Sequence, residues 1–191
     1  MKNKFTPFLM LLLSILFLAT SCKKEEQVVS PPLPGNEFLT TIKLHLISSD
    51  NLDTLVATWR DLTPEDTNPP DTSLASLILK SNTTYSAHLE LMDETKSPSE
   101  DITAEIQERA NYHRIFYFPS SSLETNLSVA VTDLDTNNPP LALGISSTIS
   151  TQNVSSGFLQ VILKHQPNVK DGTFAPGSTD ADVKFQISIQ P

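Results

Sequence analysis

The chain has 191 residues, of which 13 are Lys or Arg and 22 are Asp or Glu, giving a formal net charge of −9 at pH 7. So acidic a surface is repelled by phosphate backbones and anionic headgroups, which argues against nucleic acid as a partner and against membrane binding by charge. A single cysteine rules out an intrachain disulfide, and five glycines leave little material for phosphate-cradling loops.

Residues 1–21 read as a secretion signal. Lys2 and Lys4 form a positive n-region, and Phe8 to Ala19 is apolar apart from Ser14. That run falls well short of the roughly 20 residues a spanning helix needs. Ala19, Thr20 and Ser21 then precede Cys22, as in a lipobox, although the usual Leu three positions before the cysteine is Ala19 here and Leu18 lies one further back. The expectation is cleavage before Cys22, lipidation of its sulfur, and anchoring to the outer membrane through several acyl chains. Loss of Lys2 and Lys4 makes the remaining chain more acidic still.

Residues 22–36 comprise the lipidated cysteine and a flexible tether in which charge gives way to proline. Lys23-Lys24-Glu25-Glu26 fits a plain hydrophilic spacer, and it equally resembles the short acidic signals that send some Bacteroidota lipoproteins to the cell surface. Residues 37–191 are expected to fold as a single domain.

Alternation with period 2 marks the strands of that domain. Phe38, Thr40, Ile42, Leu44 and Leu46 share one face, with Lys43 and His45 on the other. Leu55, Ala57 and Trp59 repeat the pattern, as do Tyr85, Ala87, Leu89 and Leu91, then Leu127, Val129 and Val131, then Val183, Phe185, Ile187 and Ile189. Segments 73–80, 114–118, 141–150 and 158–165 are further candidates. These half-wet strands predict a mainly β fold, an antiparallel β-sandwich of about 8–9 strands. One short helix interrupts them. Ser97-Pro98-Ser99-Glu100 reads as a capping box, and Ile102, Ile106 and Ala110 follow as a narrow apolar stripe ending near Asn111. Dense aromatics at Phe116, Tyr117 and Phe118 leave both faces of their strand apolar. This predicts a central strand or one covered by the helix, with an exposed aromatic patch as the alternative.

Two loops echo each other: Asp61-Leu62 leads to Asp66-Thr67-Asn68-Pro69-Pro70, and Asp133-Leu134 leads to Asp135-Thr136-Asn137-Asn138-Pro139-Pro140. Calcium takes six to eight oxygens. Asp61, Glu65, Asp66 and Asp71 in the first loop, and Asp133 and Asp135 in the second, are therefore candidate ligands. Neither loop has the spacing of a known calcium loop, and polar turns explain both more simply. His88 and Glu90 project from one strand face, and would form a zinc or copper site with His45 if their strands are neighbours. Solvent-facing histidines are the simpler account. Asp53-Thr54-Leu55 matches a three-residue Bacteroidota O-glycosylation pattern and marks Thr54. Nucleophile elbow, phosphate loop and zinc-protease motif are all missing from the sequence, so neither catalysis nor a cofactor is expected.

Thr40-Thr41-Ile42, Thr58-Trp59-Arg60-Asp61-Leu62, Asn82-Thr83-Thr84-Tyr85, Ser97-Pro98-Ser99-Glu100-Asp101-Ile102-Thr103 and Leu163-Lys164-His165-Gln166-Pro167 occur in that order. Together they resemble a group of small Bacteroidota lipoproteins without established function, often labelled type 1 periplasmic binding fold superfamily proteins. That label implies two α/β lobes, whereas the strand pattern here predicts a sandwich. Relatives in the group often have a glycine-rich acidic loop where this chain has Thr63-Pro64-Glu65-Asp66. The functional expectation is a non-enzymatic binding or accessory lipoprotein for an outer-membrane uptake receptor. A metal-binding envelope lipoprotein is the alternative, and an envelope hydrolase ranks below both.

Overall fold

In the computed structural model, residues 38–64 and 66–191 are described. Cys22, the signal, the tether and Glu65 lie outside them. Among the described residues there are ten strands: β1 (Thr41–Ser48), β2 (Thr54–Arg60), β3 (Ser76–Lys80), β4 (Thr84–Asp93), β5 (Glu100–Asp101), β6 (His113–Pro119), β7 (Leu127–Val131), β8 (Ser146–Thr151), β9 (Ser155–His165) and β10 (Ser178–Gln190). One sheet runs β2-β1-β4-β8-β7 with β5 added to β4, and the other runs β3-β10-β9-β6. The two sheets form a mainly β, sandwich-like fold, and the described residues do not form α/β lobes.

Period-2 patterning explains how the layers meet. Ile42, Leu44 and Leu46 of β1 and Tyr85, Leu89 and Leu91 of β4 are buried in the same core as Leu159 and Val161 of β9 and Val183, Phe185 and Ile187 of β10. Their alternate neighbours face outward, including Lys43, His45 and His88 on the first sheet and Lys184 and Gln186 on the second. Tyr85 is fully buried, and its hydroxyl accepts the Lys80 N–H at 2.8 Å, so its one polar atom is satisfied.

Three local expectations change. The four-stranded sheet is mixed rather than purely antiparallel, because β3 lies parallel to β10, whereas the six-stranded sheet is antiparallel throughout. The chain leaves the first sheet after β2, enters the second as β3 and returns as β4. Of segment 141–150, only residues 146–150 belong to a strand, β8, and the preceding residues run beside β6, where Ile115 N–H donates to the Leu143 carbonyl at 2.7 Å. That approach requires Gly144, whose φ is 105° and whose added Cβ would lie 2.7 Å from the Ile115 oxygen. The helix, α1 (Ile102–Glu108), also starts later than the capping box suggests. Asp101 is its N-cap and accepts the Thr103 N–H at 2.9 Å.

The reason for the later start is tertiary. Glu100 and Asp101 are drawn into pairing with Asp93 and Met92, and extended backbone there displaces the first turn. Between β5 and β8 the edge of β4 is open, and Thr103 fills the gap. Its hydroxyl accepts the Leu91 N–H at 2.9 Å and donates to the Leu91 carbonyl at 3.2 Å. The stripe of Ile102, Ile106 and Ala110 is buried as its spacing predicts.

Phe185 is 0% exposed at the centre of this core, whereas Phe118 is 40% exposed on the outer face of the same sheet. Phe185→Ala should cost about 3–5 kcal/mol of stability in urea unfolding. Phe118→Ala should cost less than about 1.5 kcal/mol, the upper value for an aromatic pair beyond area burial.

Candidate functional site

Three regions carry the chemistry-bearing residues. The first is on the outer face of the six-stranded sheet. β1 and β4 are neighbours and their register places His45 opposite His88 and Lys43 opposite Glu90. Glu90 lies at the meeting point, with Oε2 2.9 Å from His45 Nε2 and Oε1 3.0 Å from Lys43 Nζ. Burial alone would raise the Glu90 carboxyl, but the hydrogen bonds from Lys43 and His45 outweigh it and hold the group below its ordinary value. A groove of about 420 Å³ opens here, walled on the helix side by Asp101, Thr103, Ala104 and Gln107. The condition set by sequence for a shared histidine site, adjacency of the two strands, is therefore met.

The two acidic loops share one local turn, Asp66 with Asn68 and Asp135 with Asn137, but differ sharply in burial and in long-range partners. In the first, each aspartate accepts from backbone two residues on: Asp61 from Thr63, Asp66 from Asn68 and Asp71 from Ser73. These are Asx turns at the surface. In the second loop the carboxylates are enclosed. Asp133 accepts the N–H groups of Gly144, Ile145 and Ser146 at 2.8, 2.9 and 3.1 Å. Asp135 accepts those of Asn137 and Leu141, and its other oxygen pairs with Lys170 Nζ at 2.7 Å, with both side chains almost wholly buried. Sequence reasoning missed Lys170, because nothing local to it signals a partner in another loop.

Burial alone would raise Asp135, but the Leu141 N–H, Lys170 and the Asn137 N–H together hold it low. Burial instead pushes the Lys170 ammonium down, outweighing Asp135, while the Ala110 carbonyl accepts a second of its protons at 2.9 Å. The Asp135 direction decides the pair, because that carboxylate is the better compensated of the two. Oxygens already engaged by N–H donors and an ammonium serve as loop-forming acceptors rather than as a calcium cage. Among the described residues, no three His, Cys, Asp or Glu side chains stand gathered to hold an ion.

The third region overturns the expectation for β6. This strand ends the four-stranded sheet, and α1 packs on β4 of the other sheet. Ile115 and Tyr117 face the apolar core, and His113 is buried on the same side of the strand; burial raises the Tyr117 phenol, and its hydroxyl donates to the Gly144 carbonyl at 2.6 Å. Phe116 and Phe118 face outward with rings 6.3 Å apart, and Phe174 meets them edge-on at 5.2 and 5.4 Å. Arg114 lies 4.6 Å over Phe116 and Lys164 lies 5.1 Å over Phe174. The loop bearing Phe174 is held by Gln166, whose amide donates to the carbonyls of Thr173 and Pro176. Gly177 permits its return, with φ 81° and no room for a Cβ against the His165 oxygen. The aromatic patch is thus the arrangement that forms.

Thr54 is exposed at the start of β2, beside the Asp53–Lys80 ion pair of 2.7 Å. His113 and His165 are buried and stacked at 4.9 Å across β6 and β9. Among the described residues no helix is long and apolar enough to cross a membrane. No family model matches the chain, and neither a curated protein nor a solved structure does.

Lys170→Met should cost about 3–5 kcal/mol in denaturant unfolding, because it strands a buried carboxylate. The double change Lys170→Met with Asp135→Leu should recover much of that loss. A second expectation concerns acid. Asp135 is depressed in the folded state relative to an ordinary value of 3.8, so its contribution is complete above that value and is lost as pH falls through the lower, folded one. Urea midpoints measured below pH 4 should therefore drop more steeply for the native chain than for Asp135→Asn, whose side chain does not titrate.

Proposed function

We propose that this chain is a lipoprotein anchored to the outer membrane through Cys22, a member of the small Bacteroidota group it resembles, and that it serves an uptake system as a non-enzymatic binding or accessory subunit. The observation that supports the reading is the Phe116–Phe118–Phe174 cluster with its two overlying cations. Three phenylalanines held half-exposed by a braced loop bury little in the free chain, and aromatic and arginine side chains are the ones enriched at protein interfaces. The cluster lies on the last strand of its sheet, where a receptor surface meets both the rings and the strand. The tether supplies reach between the acyl chains and such a partner.

A photo-crosslinking residue placed at Phe118 in intact cells tests this reading. The expected product joins the chain to an outer-membrane receptor, and Phe174→Ser should reduce it strongly while leaving the unfolding midpoint nearly unchanged. No crosslink, or one indifferent to Phe174→Ser, would remove the support. Anchoring is checked separately: Cys22→Ala should leave a longer, unprocessed chain without incorporated fatty acid. The side of the membrane depends on Glu25 and Glu26. Protease added to intact cells should digest the native chain and spare Glu25→Ala/Glu26→Ala if that pair is an export signal.

A further inference from the structure

On the opposite side of the sandwich from the aromatic cluster, and independently of the proposed role for it, we propose that His45, His88 and Glu90 bind one zinc or copper(II) ion at the groove over β1 and β4. The backbone does most of the placing. Register sets His45 directly across from His88, and Glu90 follows His88 on the same face. Directly opposed residues of antiparallel strands have Cβ atoms about 4.5–5.5 Å apart, and diagonal neighbours remain within reach of long side chains. Two of the three donors already converge, with His45 Nε2 and Glu90 Oε2 only 2.9 Å apart. Imidazole nitrogen with one carboxylate is the donor set of borderline metals such as zinc and copper, whereas calcium and magnesium take oxygen alone.

Three adjustments complete the site, since the three side chains do not stand in ligand geometry as they are; the first is that the ion replaces the proton shared by His45 Nε2 and Glu90 Oε2, which is released to solvent. His88 is exposed and must turn toward the His45–Glu90 pair, a rotamer change that exposed side chains make within nanoseconds. Lys43 must release Glu90 Oε1, which it holds at 3.0 Å. Both Lys43 and Glu90 are partly solvent-exposed, at 27% and 33%, so their ion pair is of the weak, screened kind. The 420 Å³ groove beside them has space for water to complete the coordination. Lys43 thereby becomes the competitor of the ion for Glu90, and its removal should strengthen binding, which a merely structural network does not predict.

The test is calorimetric titration of the untagged chain in detergent, with the Cys22 sulfur blocked by its lipid in the processed chain or by alkylation in the unprocessed one, using zinc chloride or copper(II) chloride as the only added ligand. The expected result is one equivalent bound. Affinity should fall by at least about tenfold in His45→Ala, in His88→Ala and in Glu90→Gln, in the range seen when groups supporting a metal are removed. It should rise in Lys43→Met. Each variant is first checked for an unchanged unfolding midpoint, and a variant that fails the check is replaced by His45→Gln or His88→Gln. His113 and His165 are 0% and 6% exposed, so surface binding by stray histidines reduces to the two residues under test. Absence of binding, equal binding by the His45→Ala/His88→Ala double variant, or weaker binding by Lys43→Met would each overturn the proposal.

Discussion

The buried contact between Asp135 and Lys170 is the constraint on which one end of the sandwich depends. No disulfide is available to hold the long connections there, since the chain has one cysteine. Asp133 and Asp135 instead collect backbone N–H groups from 137 to 146, and Lys170 arrives from the β9–β10 connection to cancel the remaining charge. Burying such a pair costs several kcal/mol per ion before the partners are counted. Its benefit is therefore a defined path for the chain rather than stability. With Asp133 holding residues 144–146, Leu143 reaches β6 and the strand order β4-β8-β7 is fixed; with Lys170 also bound to the Ala110 carbonyl, the end of the helical region joins the same cluster.

That constraint also explains why two loops of nearly the same sequence, alike in the turns Asp66–Asn68 and Asp135–Asn137, differ in burial and in their long-range partners. Residues 61–71 and 133–140 share aspartates, asparagine and a pair of prolines, so any local reading treats them alike. Local rules were sufficient for the first, whose aspartates fold back on their own N–H groups. They were insufficient for the second, because its distinguishing partner, Lys170, is distant in sequence and sits in a loop with no periodic pattern.

The same division between local and distant information runs through the fold. Strands with one wet face were legible, since alternation reports burial of one face directly. Which strands pair was not, and alternation is equally silent on whether β3 runs parallel or antiparallel to β10. The capping box at Ser97 was a sound local signal overridden by pairing of Glu100 and Asp101 with β4. For β6, apolar residues on both faces suggested burial on both sides, yet the second layer is only Phe174 from a braced loop. At the histidine groove, sequence placed His88 and Glu90 on one face but left the neighbour undetermined; pairing of β1 with β4 decided it.

The two outer faces then differ because each is free to vary without cost to the core. Every residue at Lys43, His45, His88 and Glu90 has its apolar strand neighbours turned inward, so the charges there are placed by the core and not needed by it. The same holds for Phe116 and Phe118, set outward by the inward turn of Ile115 and Tyr117. A half-exposed ion pair contributes little stability, and half-exposed rings forgo part of the roughly 25 cal/mol per Å² that burial would return. Both faces thus hold side chains in positions that folding alone does not reward, and the register of buried neighbours, rather than any interaction among the exposed groups, keeps them there.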